Sequence, residues 1–443
     1  MAAQPINPAA TRVPYVLQNR ERSPEAGQKL KIAAMAWLVA AIYYFFQYVL
    51  RSAPSVMMPQ LSTAFGMNMV GTASLIGLFY YGYSPFSLIA GAGMDRLGPR
   101  KIVPIAAAAA GFGALLFATG NPTAGTVGRL LQGAGGVFAP VGAIYIASKY
   151  FRPSQAATLI GATQMFGMAG GAAGQFIVGP LIARGLAWDT FWIGLGITVL
   201  MISGLLLALL PKDEIPKDPL PQQTIGRGFY LVFRNPQSIL CGLIAGLLFI
   251  PTTIFDMVWG VRYLQDAHGF NYASAVFRTA MVPLGWIIGC PLLGFISDRL
   301  GRRKPVIIGA AGVLLVCLAW ILFGTPGVLP PYVLGFVAGV ASGSAMLPYT
   351  VIKEANPPQF GGIATGVVNF LNFTFSALLG PLFGWLLQYL SGASGAMQLR
   401  HYQIAFAPLL LGVAIAIGLA FFLKETGSRG QDALSQAKQE AYP

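Results

Sequence analysis

Hydrophobic residues fill 55% of the 443 positions and charged ones only 9%, a balance that excludes a soluble enzyme with an aqueous surface all round. Twenty-eight lysines and arginines against 14 acidic residues give a net charge of +14, which in a soluble chain would point to nucleic acid. Here 22 of the 28 fall in the two tails and the even-to-odd connections between apolar runs, four on the other side and two inside runs. That bias is the signature of a multi-pass membrane protein with both termini in the cytoplasm, and it needs no nucleic-acid partner.

Residues 1–31 read as a polar cytoplasmic tail without a signal-peptide run. Twelve apolar runs follow, each near the ~20 residues that cross ~30 Å of hydrocarbon as a helix. The first six, within 32–210, lie at about 32–60, 70–92, 102–119, 124–149, 155–183 and 188–210. Pro54 and Pro59 are expected to bend span 1 and free backbone groups there. Gly120, Asn121 and Pro122 mark a turn, and the small residues of span 5, from Gly161 to Gly179, allow its backbone to approach a neighbour closely.

Residues 211–236, with Pro211, Pro216, Pro219 and Pro221, form a cytoplasmic linker whose 225–233 stretch suits a membrane surface. The last six spans, within 237–424, lie at about 237–264, 274–296, 305–324, 330–351, 361–389 and 402–423. Residues 425–443 form a charged tail. Cys241, Cys290 and Cys317 sit in apolar spans and read as packing residues, and neither a metal-ligand cluster nor a cofactor motif is present. The histidines, His268 and His401, fall in outer loops.

The sequence GAGMDRLGPRK at 91–101 recurs as GFISDRLGRRK at 294–304, and Gly179-Pro180 recurs as Gly380-Pro381. Both offsets are close to half the chain, so two six-span units repeat in parallel, an arrangement that puts a binding site between the halves at mid-membrane. The doubled G-x-x-x-D-R-x-G-x-R loop resembles the signature loop of the major facilitator superfamily. The resemblance implies an all-α fold of twelve transmembrane helices in two halves related by a pseudo-two-fold, working as a monomer. It also implies gate roles for Gly91, Asp95, Arg96 and Arg100, and for Gly294, Asp298, Arg299 and Arg303. Pro99 stands where the family often has an arginine. More narrowly, YYFFQYVLRSAPSVMMPQL of span 1 is similar to the phagosomal-type amino-acid transporters. Its arginine also matches one of the two phosphate-binding arginines of organophosphate antiporters, but the second is missing near Thr253.

Arg51 lies deep in span 1. A guanidinium costs at least ~2.5–3.5 kcal/mol at the centre of a bilayer and cannot shed its proton, so it marks a substrate or ion site. Tyr44, Gln47, Arg51 and Ser55 share a helical stripe, and a guanidinium can hold a carboxylate through two parallel hydrogen bonds. Asp256 in span 7 is the acidic residue deep in a span, read either as an ammonium anchor opposite Arg51 or as a proton carrier. Tyr80 and Trp259 are expected to wall the pocket, as are Tyr81, Tyr83 and Trp286, and Asn369 and Asn372 to line it. Arg129 resembles the span 4 arginine of proton-coupled members of the superfamily and reads equally as a gate or interface residue, and Lys353 and Glu354 read as latch residues.

These residues predict a secondary active transporter, working by alternating access, that takes up an amino acid or small peptide together with protons. A transporter or exchanger of organic carboxylates is the alternative, and a non-transporting sensor on the same fold is a third reading. The partners implied are a small carboxylate-bearing substrate, protons and the lipid bilayer.

Overall fold

The computed structural model describes residues 24–151, 153–210, 222–324, 331–357, 360–392 and 397–427. The expectations for residues 1–23, 211–221 and 428–443 therefore lie outside the described residues. Within them the chain is helical, with no strand.

Among the described residues, twelve helices are of membrane-spanning length. The first half holds α1 (Leu30–Phe65), α2 (Met69–Leu97), α3 (Pro99–Ala118), α4 (Pro122–Tyr150), α5 (Thr158–Ala183) and α6 (Trp188–Leu209). The second holds α7 (Pro236–His268), α8 (Tyr272–Leu300), α9 (Lys304–Phe323), α10 (Tyr332–Glu354), α11 (Gly361–Ser391) and α12 (Leu399–Ala420).

Their ends follow from local chemistry. Asn68, Asn121, Asn235 and Asn271 each precede a helix and accept from a backbone N–H of its first turn, satisfying donors that a helix start leaves orphaned. In two of these Pro follows at once, at Pro122 and Pro236, where its missing N–H costs nothing. The glycine of each D-R-x-G loop ends a helix with positive φ, 72° at Gly98 and 63° at Gly301, a conformation that a Cβ disfavours.

The two halves meet along α2 against α11 and α5 against α8. Close approach depends on small residues, as expected for span 5. A Cβ on Gly170 would stand 2.0 Å from the Phe45 carbonyl of α1, and one on Gly133 in α4 would stand 1.9 Å from the Phe79 carbonyl of α2. Between residues 211 and 236 the described part is a helix, Gln222–Arg234. Gly228 seats it against Phe360 and Ile363 of the second half, while Tyr230 stays exposed.

Besides a short 3-10 turn over Gly343–Met346 in α10, two spans are irregular at prolines. α1 tightens into a 3-10 turn over Ala53–Met57, because Pro54 has no N–H to give the Leu50 carbonyl. α7 widens into a π-helix over Pro251–Trp259, where i→i+5 bonding carries each side chain to a different face from the one a 3.6-residue period predicts.

Candidate functional site

Arg51 ends the regular part of α1, just before the 3-10 turn, and is 2% exposed. Its guanidinium carbon lies over five rings: Tyr48 at 4.5 Å, Tyr83 at 4.9 Å, Phe373 at 5.0 Å, Phe79 at 5.1 Å and Tyr80 at 5.6 Å. Three spans, α1, α2 and α11, therefore build one aromatic cage around a cation. Ring faces attract a desolvated guanidinium but leave its hydrogen-bonding capacity unspent. Nε, Nη1 and Nη2 are all buried and none has a hydrogen-bond partner. The ion pairs among the described residues are Arg262–Asp266, Arg303–Asp298 and Arg303–Glu354, so Arg51 faces its cage without a carboxylate.

Polar groups surround that cage. The phenols of Tyr44, Tyr48, Tyr80 and Tyr83 lie within electrostatic reach of the guanidinium, and so does that of Tyr349 on α10. The Tyr349 hydroxyl donates to Asn369 Oδ1 at 2.6 Å and accepts from Asn372 Nδ2 at 2.9 Å, which leaves Asn372 Oδ1 buried and unpaired. Gln47, one turn before Arg51, is fully buried against Gly136 with neither amide heteroatom bonded. The seam beside the cage is tied by Tyr80 Oη to the Thr253 carbonyl at 3.4 Å, by Thr253 Oγ1 with Ser376 Oγ at 2.9 Å, and by Ser84 Oγ with Thr374 Oγ1 at 2.7 Å.

Arg129 is the contrasting case. It is 1% exposed and fully engaged: Nη1 donates to the Leu50 carbonyl at 2.9 Å and to Gln132 Oε1 at 2.6 Å, and Nε and Nη2 both donate to the Ile76 carbonyl. The Leu50 carbonyl is the acceptor that Pro54 leaves free. Arg129 thus braces the bend of α1 beneath Arg51.

Several expectations need correction. Asp256 does not face Arg51. It is 6% exposed, near Gln175 of α5 across the seam, with Oδ2 unbonded, and it lines a cavity between α7, α8, α9 and α10 of the second half; it lies in the π-helical stretch, outside the Arg51 cage. Trp259 is buried against Gly384 of α11, outside the cage. Tyr81 is 41% exposed on the outer surface of α2, Trp286 packs in the second half with Nε1 on Thr252, and Ser55 spends its hydroxyl on the Ser52 carbonyl in the 3-10 turn.

The doubled loops also differ from each other. Gly91 meets the Gly362 carbonyl across the seam, where a Cβ would stand at 2.8 Å, whereas Gly294 has nothing within 4 Å. The side chains of Asp95 and Arg96 lie outside the described residues. Arg100 donates to the Leu210 carbonyl at 2.6 Å and so ties α3 to the end of α6. Arg299 is exposed. Arg303 pairs with Asp298 and, at 2.9 Å, with Glu354, while its backbone N–H meets Glu425 at 2.5 Å. Among the described residues the contacts of Arg100 and Arg303 brace each half internally, and it is Gly91 that meets the other half.

The cage residues that sequence reasoning left out are Tyr48, Phe79, Phe373 and Tyr349. A signal existed for two: Tyr48 is three residues from Arg51 on one helix face, and Phe79 is four from Tyr83. No periodicity within one span could have brought Phe373 and Tyr349 to the same point.

The Major Facilitator Superfamily model matches residues 40–381. The chain belongs to the major facilitator superfamily. Among curated members it is 26% identical to the hexuronate transporter of Bacillus subtilis, over 86% of this chain and 93% of that one. It is 25% identical to the membrane sensor protein UhpC of Salmonella typhimurium (87% and 88%) and 24% identical to the cis,cis-muconate transport protein of Acinetobacter baylyi (90% and 97%). Of solved structures it resembles that of a point mutant of the nucleoside transporter NupG, with a TM-score of 0.68 at 15% identity, covering 88% of this chain and 99% of that one. These superfamily relatives do not support the amino-acid subtype that span 1 resembles.

Proposed function

We propose that this superfamily member is a secondary active transporter of organic anions, working by alternating access, in which Arg51 grips a substrate carboxylate. The observation that carries the reading is a buried guanidinium whose three nitrogens are all unbonded at the centre of a five-ring cage. Two parallel N–H···O bonds to a carboxylate would meet that unspent capacity. The phenols of Tyr48, Tyr83 and Tyr349 and the amides of Gln47 and Asn372 offer further partners for hydroxyl or second carboxylate groups, and the ring faces suit a flat or unsaturated carbon skeleton. An amino acid would need an acid in the same cage for its ammonium, and Asp256 lies elsewhere. Hexuronate and cis,cis-muconate, named for the relatives, are organic carboxylates of this kind.

The distribution of basic residues supports a cytoplasmic location for both termini, so the doubled loops face the cytoplasm. Counterflow in proteoliposomes tests the proposal: vesicles preloaded with glucuronate, galacturonate or cis,cis-muconate should accumulate the labelled acid, and amino-acid-loaded vesicles should not. Counterflow of amino acids alone would overturn it. Specific binding of an acid with no flux would instead favour the sensor reading, which rests on the similarity to the Salmonella sensor protein.

A further inference from the structure

The cavity inside the second half is distinct from the Arg51 cage. It measures about 100 Å³ and runs between α7, α8, α9 and α10. Its inner end is formed by buried Asp256, Thr252, Leu318 and Ser342, and its outer end by half-buried His268, Phe270 and Arg278 near the α7–α8 turn. It therefore extends from the face opposite the doubled loops toward the middle of the bilayer.

Its two charged ends have unspent hydrogen-bonding capacity. Asp256 is 94% buried, being 6% exposed, and its Oδ2 has no partner. Arg278 is held flat, with its guanidinium carbon 3.5 Å from the Phe270 ring centre and 5.1 Å from that of Tyr332, and its Nε and Nη1 are buried and unbonded. The two do not pair with each other. Gly260 lines the cavity beside Asp256: a Cβ there would lie 3.6 Å from Asp256 Oδ1 and 2.7 Å from the side chain of Thr279.

Several other groups facing the cavity are already engaged. His268 Nε2 is bonded to the Tyr263 hydroxyl, Tyr263 donates to the Ile321 carbonyl, and Thr252 accepts from Trp286. Arg262 and Asp266, farther along α7, pair with each other. On the α5 side stands Gln175, which is uncharged.

We infer that this cavity is a second binding site, separate from the transport path, that takes a small zwitterion with its ammonium on Asp256 and its carboxylate on Arg278. One anionic and one cationic group, both buried in part or whole and both short of partners, complement a ligand carrying both charges. A singly charged ligand would leave one end unmet. Leu314, Leu318, Val282 and Leu334 supply the apolar wall for a short carbon chain between the charges.

The test uses the full-length protein in detergent with glycine, β-alanine and γ-aminobutyrate, which span a range of charge separations, and with acetate and methylammonium as single-charge controls. At least one zwitterion should raise the melting temperature of the wild type and of Arg51→Gln alike, and should do so in the presence of saturating organic acid. Asp256→Asn and Arg278→Gln should each weaken that binding about tenfold or more, since each removes a charge-assisted contact. Two variants at opposite ends of the cavity guard against misfolding of either one. Equal stabilisation of both variants, or no stabilisation by any zwitterion, would overturn the inference. So would loss of the effect in Arg51→Gln or its displacement by organic acid, because the zwitterion would then sit in the cage. Failure of organic-acid counterflow would sink the transport proposal alone.

Discussion

Arg51→Gln separates a binding residue from a structural one. Two charge-assisted hydrogen bonds to a buried carboxylate, removed by truncating one partner, are worth about 3–5 kcal/mol together. At about 1.4 kcal/mol per tenfold, the variant should bind organic acid roughly 150- to 5,000-fold more weakly. In a thermal-shift titration, acid at 100 times its wild-type dissociation constant adds about 2.7 kcal/mol to wild-type stability, and by the same relation no more than about 0.3 kcal/mol to the variant. The ligand-free variant should stay folded. Among the described residues no acid pairs with Arg51, so the substitution orphans no anion. Relief of a bilayer cost of ~2.5–3.5 kcal/mol offsets the five lost ring contacts when each is worth about 0.5 kcal/mol, the low end of the range for such contacts. Half of a structural ion pair would behave in the opposite way, with a loss of about 3–5 kcal/mol of stability on its removal. Unchanged acid affinity, or a ligand-free protein destabilised by that amount, would refute the reasoning.

Arg129→Met should destabilise the fold by about 2–4 kcal/mol, because the Leu50 and Ile76 carbonyls lose their donor in a buried site; a melting temperature equal to wild type would count against the brace. Gly133→Ala forces α4 away from α2 and displaces the Phe79 ring of the cage, so both yield and acid affinity should drop, while Gly77→Ala, with open space at its Cβ, should match wild type in both assays. Glu354→Gln leaves Arg303 with Asp298 but weakens its hold on α10 and on Thr426. The side chains are only partly buried, so a stability loss of about 1 kcal/mol or less is expected, together with faster hydrogen exchange at residues 424–427.

Much of the fold was legible because a bilayer leaves few options. Backbone groups in hydrocarbon must bond within their own helix, so twelve apolar runs had to be twelve helices, and Gly120, Asn121 and Pro122 marked a turn that the structure reproduces at Asn121. The depth of Arg51 was legible for the same reason. The site was only half legible. Asn369, Asn372 and Tyr80 turned inward as the cost of exposing polar groups to lipid requires, yet Asp256 and Trp259 did not join them.

The boundary between the two kinds of knowledge is physical. Composition, hydropathy and the internal repeat act along the chain, and by themselves they determined the spans, the parallel halves and the presence of a buried cation that must find a partner. Which partner it finds depends on how far each helix is rotated about its axis, and that is set by contacts between distant residues and by breaks such as Pro54 and Pro251. Only the tertiary structure could therefore decide that Phe373 closes the cage over Arg51, that Arg129 takes up the carbonyl Pro54 frees, and that Asp256, on a π-helical turn, lines a different cavity with Arg278 at its other end.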